Sequence, residues 1–151
     1  MRVILQRVNQ GRVTVGEDVT GEIETGFVAL VGVTHGDTSA QADLLAQKTA
    51  HLRVFEDDAG KMNRSALDVG AGVLVVSQFT LYADSRKGRR PSFINAAPPE
   101  HAEPLVRRYA QTLTEQGITR VAHGVFGAMM RVEIHNEGPV TILLDTDELN
   151  R

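Results

Sequence analysis

Met130-Arg131-Val132-Glu133-Ile134-His135-Asn136-Glu137-Gly138-Pro139-Val140-Thr141-Ile142-Leu143-Leu144 is the stretch on which the fold class turns. Met130, Val132 and Ile134 alternate with Arg131, Glu133 and His135, the period of two expected of a strand with one face on a core and one in water. Asn136-Glu137-Gly138-Pro139 reads as a tight connection, and Val140 to Leu144 as a further strand. Working outward, Val3 to Val8, Arg12 to Val15 and Gly26 to Val33 are short β runs punctuated by Gly11, Gly16, Gly21 and Gly26, which predicts an opening antiparallel meander. Val73 to Phe79 opens on Val73-Leu74-Val75-Val76, an apolar run of the length of a buried central strand.

Two segments have helical spacing. Thr38 or Ser39 caps one that runs through Leu52, with Ala42, Leu45, Thr49 and Leu52 on one face. Ala102, Leu105, Val106, Tyr109 and Leu113 mark the other, with Pro104 expected near its first turn and Gly117 as its stop. Two helices are too few to alternate with the strands as βαβ units. The expected class is α+β: one domain over residues 1–151, with a mainly antiparallel, barrel-like sheet and two main helices.

The chain has 151 residues, no cysteine and a net charge of −3, with a sequence pI near 5.9. Thiolate nucleophiles, disulfides and thiolate metal sites are excluded. Charge interrupts Met1-Arg2-Val3-Ile4-Leu5-Gln6-Arg7 too early for a signal peptide, and no apolar run approaches the roughly 20 residues of a membrane span. A soluble, cytoplasmic protein is expected. The overall balance is not that of a general nucleic-acid binder, so RNA binding would be local. Arg86-Lys87-Gly88-Arg89-Arg90 is the one segment that fits, as a phosphate-binding loop or as a solvated charge cluster. Phosphate-binding glycine loops, the nucleophile-elbow motif and the zinc-protease helix motif are missing. The five histidines have no ligand spacing, and no metal or cofactor is expected. Glu56-Asp57-Asp58-Ala59-Gly60 reads as a solvated hairpin tip.

What remains is Ser77-Gln78-Phe79-Thr80-Leu81, a polar element where the apolar run ends. Such a place suits a site, because a sheet fixes its backbone while its end stays open; the other reading is that these side chains only satisfy backbone groups. Ser77-Gln78-Phe79-Thr80-Leu81 and Asn136-Glu137-Gly138-Pro139-Val140-Thr141 together resemble the paired signature motifs of D-aminoacyl-tRNA deacylases. Gln6-Arg7-Val8, Gly60-Lys61-Met62-Asn63, Lys87-Gly88-Arg89-Arg90-Pro91-Ser92-Phe93 and Phe126-Gly127-Ala128 agree with that family. The likeness runs from Met1 to about Asp145 and departs from the family at His123, Val125 and Glu137.

The resemblance implies a hydrolase that cleaves the ester between a D-amino acid and the terminal ribose of tRNA. It implies a homodimer whose sites lie at the subunit boundary. Ser77, Gln78, Phe79 and Thr80 would frame the pocket floor, with backbone amides around Phe79 and Thr80 as oxyanion donors. Thr80 as nucleophile would need a base that the sequence does not place nearby, so backbone and RNA-assisted catalysis is the favoured alternative. Gly138-Pro139 of the partner would form the opposing wall and select chirality by shape through a cis peptide bond, which X-Pro bonds adopt at a cost of only about 0.5–1 kcal/mol; an ordinary trans turn is the alternative. Glycyl-tRNA would then also be admitted. Arg7, with five guanidinium donors, would hold the Gly-Pro segment through carbonyl hydrogen bonds or lie exposed at the surface, Phe126 would stack on the terminal adenine or pack in the core, and Met130 would line the substrate site. Arg86, Lys87, Arg89 and Arg90 would bind tRNA. A non-catalytic RNA-binding or assembly module and a hydrolase of small free esters are the competing functions.

Overall fold

The structure is a computed structural model that describes residues 1–150. Its strands are β1 (Arg2–Val15), β2 (Asp18–Ile23), β3 (Gly26–Gly32), β4 (Phe55–Glu56), β5 (Met62–Arg64), β6 (Gly72–Ser77), β7 (Val121–His123) and β8 (Arg131–Asp145). Its helices are α1 (Ser39–His51), α2 (Ala66–Val69), α3 (Pro99–Gln116) and α4 (Thr146–Leu149), and one 3-10 turn spans Phe79–Tyr82. The main sheet runs β2-β1-β3-β6-β7, with β8 also on β1. Pairs of β1 with β2, β3 and β8 are antiparallel, while β3-β6 and β6-β7 are parallel. Thr20 Oγ1 donates to His123 O across 3.3 Å, bringing β2 against β7. The mixed sheet is thereby nearly closed into a barrel.

The runs Val3 to Val8 and Arg12 to Val15 are one strand. Gly11 is not a turn: a Cβ there would sit 2.6 Å from Val28 Cγ2, so glycine lets two strands approach. Gly21 does the same for β2 and β7, where a Cβ would lie 2.5 Å from His123 O; the β2 strand around it was not anticipated. Within β1 an extra residue faces β8 between Val8 and Gln10. Such a bulge reverses which side chains face which side. Val3 and Leu5 accordingly join the core under the helices, whereas Val13 joins the barrel interior.

Two apolar layers result. Leu5, Phe27, Leu45, Tyr109 and Leu113 pack between the sheet and α1 and α3. Val8, Val28, Leu74 and Val76 fill the barrel, with Met130, Val132 and Ile134 against them. β3 and β6 supply both layers, which is why they read as unbroken apolar runs. A capping box of Thr38 and Gln41 starts α1. Asp43 ties the two long helices together, accepting from Arg108 Nε at 2.7 Å and Thr112 Oγ1 at 2.6 Å, and the Arg108 guanidinium holds its carboxyl below the usual aspartate range. α3 starts earlier than its apolar spacing suggests: Pro99 takes the first helical position, leaving Pro104 inside the helix. No helix among the described residues is long and apolar enough to cross a membrane.

The segment around Gly138-Pro139 is not a connection between two strands. Gln6 pairs with Thr141 and Val8 with Asn136, so Arg7 alone faces the four residues Glu137–Val140. The inserted residues loop out, and β8 continues along β1 beyond them. Gly138 has φ +122 and the Gly138–Pro139 peptide is cis.

Candidate active site

β6 stops because Gln78 leaves the strand conformation at φ −145, ψ 80 and the chain tightens into the 3-10 turn. Gln78 N still donates to Val31 O at 2.7 Å, and the first hydrogen bond of the turn is Leu81 N to Gln78 O at 3.2 Å. The amides of Phe79 and Thr80 precede that bond and donate to no acceptor among the described residues. Two adjacent N–H groups at the start of a helical turn are suited to an oxyanion.

A cavity of about 380 Å³ opens beside them, lined by Ser77, Gln78, Phe79, Phe93, Val106 and Phe126 among others. Its walls are mostly apolar, and the Phe79 and Phe93 rings meet edge to face with centroids 5.0 Å apart. A second cavity, about 390 Å³, shares Ser77, Val106 and Phe126 with the first and adds Glu103, Arg107 and His123. The walls of the first suit a flat apolar face. A larger cleft of about 930 Å³, lined by Arg12, Glu22, Gly70 and Arg120 among others, shares no lining residue with these two, and both of its arginines are already engaged: Arg12 Nε donates to Glu22 Oε2 at 3.1 Å and Arg120 Nη2 to Glu22 O at 2.9 Å.

Ser77, Gln78, Phe79 and Phe126 are thus brought together. Thr80 is exposed beside them and its hydroxyl accepts from the Gln78 side-chain amide. Met130 lies elsewhere, against the barrel interior, where its sulfur occupies the space a Cβ on Gly124 would take. Gly138 and Pro139 lie on the exposed protrusion, and the hollow of about 340 Å³ at its base is lined by Arg7, Phe55, Glu56, Glu137 and Gly138. That hollow shares no lining residue with the Ser77 cavity.

Arg7 is buried under the protrusion. Its Nε donates to Glu137 O at 3.2 Å and its Nη1 to Val54 O at 2.7 Å. A Cβ on Gly138 would lie 3.0 Å from Arg7 Nη2, so glycine also makes room for this anchor. Gln6 Oε1 accepts from Asn136 Nδ2 and from Thr141 Oγ1, both at 2.8 Å, closing the neck of the loop. Of the four cations, Arg86 forks onto Asp84, while Lys87, Arg89 and Arg90 are exposed. Sequence reasoning missed Phe93, Pro99 and Ala102 as lining residues. Phe93 stood in a quoted motif, but only the fold shows that it folds back onto Phe79.

The strand end thus holds two available amides beside an apolar cavity, and the anchored Gly-Pro loop lies apart from both. Residues 4–145 match the profile of the family described as D-Tyr-tRNA(Tyr) deacylase. A protein of Thermomicrobium roseum named D-aminoacyl-tRNA deacylase is 62% identical over 149 residues, covering 99% of this chain and 96% of the relative. Its namesake from Thermus aquaticus is 57% identical over 148 residues, covering 98% and 97%. Among solved structures, one named c-Myc DNA Unwinding Element Binding Protein superposes with a TM-score of 0.91 at 38% identity, covering 97% of this chain and 99% of that one. A probable eukaryotic D-amino acid tRNA deacylase shares the fold at a TM-score of 0.81 and 18% identity, over 95% of this chain and 97% of that one. With the profile spanning nearly every strand and both signature segments, the chain belongs to the D-Tyr-tRNA(Tyr) deacylase family.

Proposed function

We propose that this protein hydrolyses the ester joining a D-aminoacyl group to the terminal ribose of tRNA, working in the cytoplasm as a homodimer. The observation that carries the reading is the pair of Phe79 and Thr80 amides beside the apolar cavity. The terminal adenine enters that cavity, with Phe126 offering its ring, and the ester carbonyl lies over the start of the 3-10 turn. Water adds to the carbonyl carbon, and the two amides stabilise the charge that develops on the carbonyl oxygen. Collapse of the tetrahedral species breaks the ester bond, and the departing ribose oxygen takes up the proton that water gives up. The substrate's neighbouring 2′-hydroxyl orients the water. Thr80 stands exposed at the pocket's edge and is not the nucleophile: its hydroxyl is held by an amide, and an amide is no base.

The Gly138-Pro139 segment of one chain closes the pocket of the other. Its separation from Ser77 within one chain and its anchoring by Arg7 support a wall offered outward. Main-chain atoms of that wall leave space for the hydrogen of a D residue and collide with an L side chain. Glycine has hydrogen on both sides, so glycyl-tRNA is also a substrate. Deacylation of D-tyrosyl-tRNA with L-tyrosyl-tRNA as control tests the activity: free D-tyrosine is expected and L-tyrosine is not. Sedimentation tests the assembly, since a fully active monomer would refute the two-chain site. A second reading, nucleic-acid binding without hydrolysis, is favoured by the name of the 38% identical solved relative. Binding of tRNA with no release of amino acid would establish it.

A further inference from the structure

We propose that Asp84–Ser92 is a preformed cradle for the phosphates of an unpaired RNA 3′ tail, in which Arg86 is a positioning residue and Lys87, Arg89 and Arg90 make the contacts. This rests on the reading that the protein acts on tRNA.

The loop is closed at its neck by two backbone hydrogen bonds, Asp84 N to Ser92 O at 2.7 Å and Ser92 N to Asp84 O at 2.9 Å. Gly88 turns the chain with φ +70, in the left-handed region. The Asp84 carboxylate then takes three donors from one residue: Arg86 N at 3.0 Å and Nε at 2.9 Å on Oδ1, and Nη2 at 2.7 Å on Oδ2. A two-pronged guanidinium–carboxylate pair with a backbone bond added is already satisfied, and a phosphate reaching Arg86 would meet the Asp84 charge. Lys87, Arg89 and Arg90 form no ion pair among the described residues. The cluster of four cations is therefore one internal clamp and three charges facing water.

The surroundings say which form of RNA these charges suit. Phe93 follows the neck directly and packs edge-on against Phe79, which is 56% exposed, while Ile94 is 75% exposed. Cations beside accessible aromatic faces fit a strand whose bases are unstacked; in a duplex the faces are hidden. Phe79 and Phe93 also line the cavity proposed for the terminal nucleoside. The nucleotides preceding it leave the cavity across these rings and bring their phosphates to the loop.

Fluorescence anisotropy tests this with two labelled RNAs, a hairpin with a four-nucleotide single-stranded 3′ tail ending in adenosine and the same hairpin with a blunt end. Each is titrated into the full protein across a salt series. The tailed RNA is expected to bind at least tenfold more tightly. Replacing Lys87, Arg89 and Arg90 by alanine should weaken it about tenfold or more and reduce the log–log salt slope by about 2, as three single-strand phosphate contacts require. The double variant Asp84→Asn/Arg86→Gln, which removes the clamp without leaving a lone charge, should keep the wild-type slope, because the three contacts remain, but bind the tailed RNA about threefold or more weakly, because the cradle is no longer preformed; wild-type affinity in it would overturn the positioning role of Arg86. Equal affinity for the blunt hairpin would make the duplex the occupant and overturn the proposal. So would a slope reduced in the double variant, or an unchanged slope in a triple variant with the wild-type melting curve. Hydrolysis of D-tyrosyl-tRNA by the wild type is measured alongside: its absence sinks the functional reading itself, whereas the RNA outcomes judge only the loop.

Discussion

Ser77–Tyr82 and Glu137–Val140 both interrupt a strand, in opposite senses. β6 ends: it is buried on both faces through Val76, and its last residues emerge from the packed barrel as a single helical turn. β8 does not end; it ejects residues opposite Arg7 and resumes its pairing with β1 at Thr141. A strand end inherits its rigidity from the core beneath it. An insertion rests on a narrower support, here one buried arginine held on Val54, a small amide and hydroxyl network, and Phe55 and Glu56 at its base. Under the proposed function, donors that must not move would sit on the first kind of support, and a wall offered to another molecule on the second.

The largest effect should come from cutting the shared foundation. Leu74 is fully buried in the barrel, and Leu74→Ala should cost about 2–5 kcal/mol in chemical denaturation. A loss well under that range would mean the strand end does not rest on a packed interior. Arg7→Met should cost about 1–3 kcal/mol, because it strands the Val54 and Glu137 carbonyls. Its distinguishing mark is local: amide exchange at Val140, whose N–H donates to Asn136 Oδ1, should rise while that at Leu81 and Ala83 follows global stability. Equal acceleration at both places would mean that the two interruptions share one support.

Thr80→Ala should change stability by less than about 0.5 kcal/mol, as for a surface site, and leave most of the D-tyrosyl-tRNA turnover. A trapped acyl ester on Thr80, or complete loss of turnover in a folded variant, would make it the nucleophile. The smallest effect concerns the rim. Arg86 holds the Asp84 carboxyl at about 2, below the ordinary value of about 3.9. The folded value is depressed, so the loop's contribution is full above about pH 4 and is lost as pH falls through about 2. Chemical shifts of Arg86 and Ser92 should stay constant from pH 8 to 5 and move only in that acid window.

Much of this was legible in the residues. Period-two alternation placed Met130, Val132 and Ile134 on one face, and helical spacing found α1 and α3. The polar break after Val76 drew attention to Ser77 through Thr80, now seen around one cavity apart from the exposed Thr80 side chain. Glycine was the main source of error, because the same residue marks a turn or a close approach: Gly11 and Gly21 proved to be approaches inside strands. Pro104 misled on the start of α3, since three prolines compete and only packing selects Pro99. The partner of Arg7 was half legible. Its hold on the Gly-Pro segment followed from donor chemistry, but Val54 offers only a carbonyl, which every residue has.

The pairing of β1 with β8 also governs how the chain matures. Their partners lie at opposite ends of the described chain, Arg2 opposite Asp145 and Thr14 opposite Arg131. On a ribosome adding about 5–20 residues per second, β1 therefore waits on the order of ten seconds for β8. During that interval one long edge of β1 is bare, and bare edges recruit other strands. The turn at Ser77 can form early, paired beside β3, and the barrel beneath it fills only with β7 and β8; the Gly138 protrusion exists only once the last strand docks. A nascent chain thus acquires that turn before its protrusion, and the hazard meanwhile is pairing of its bare edge with another copy.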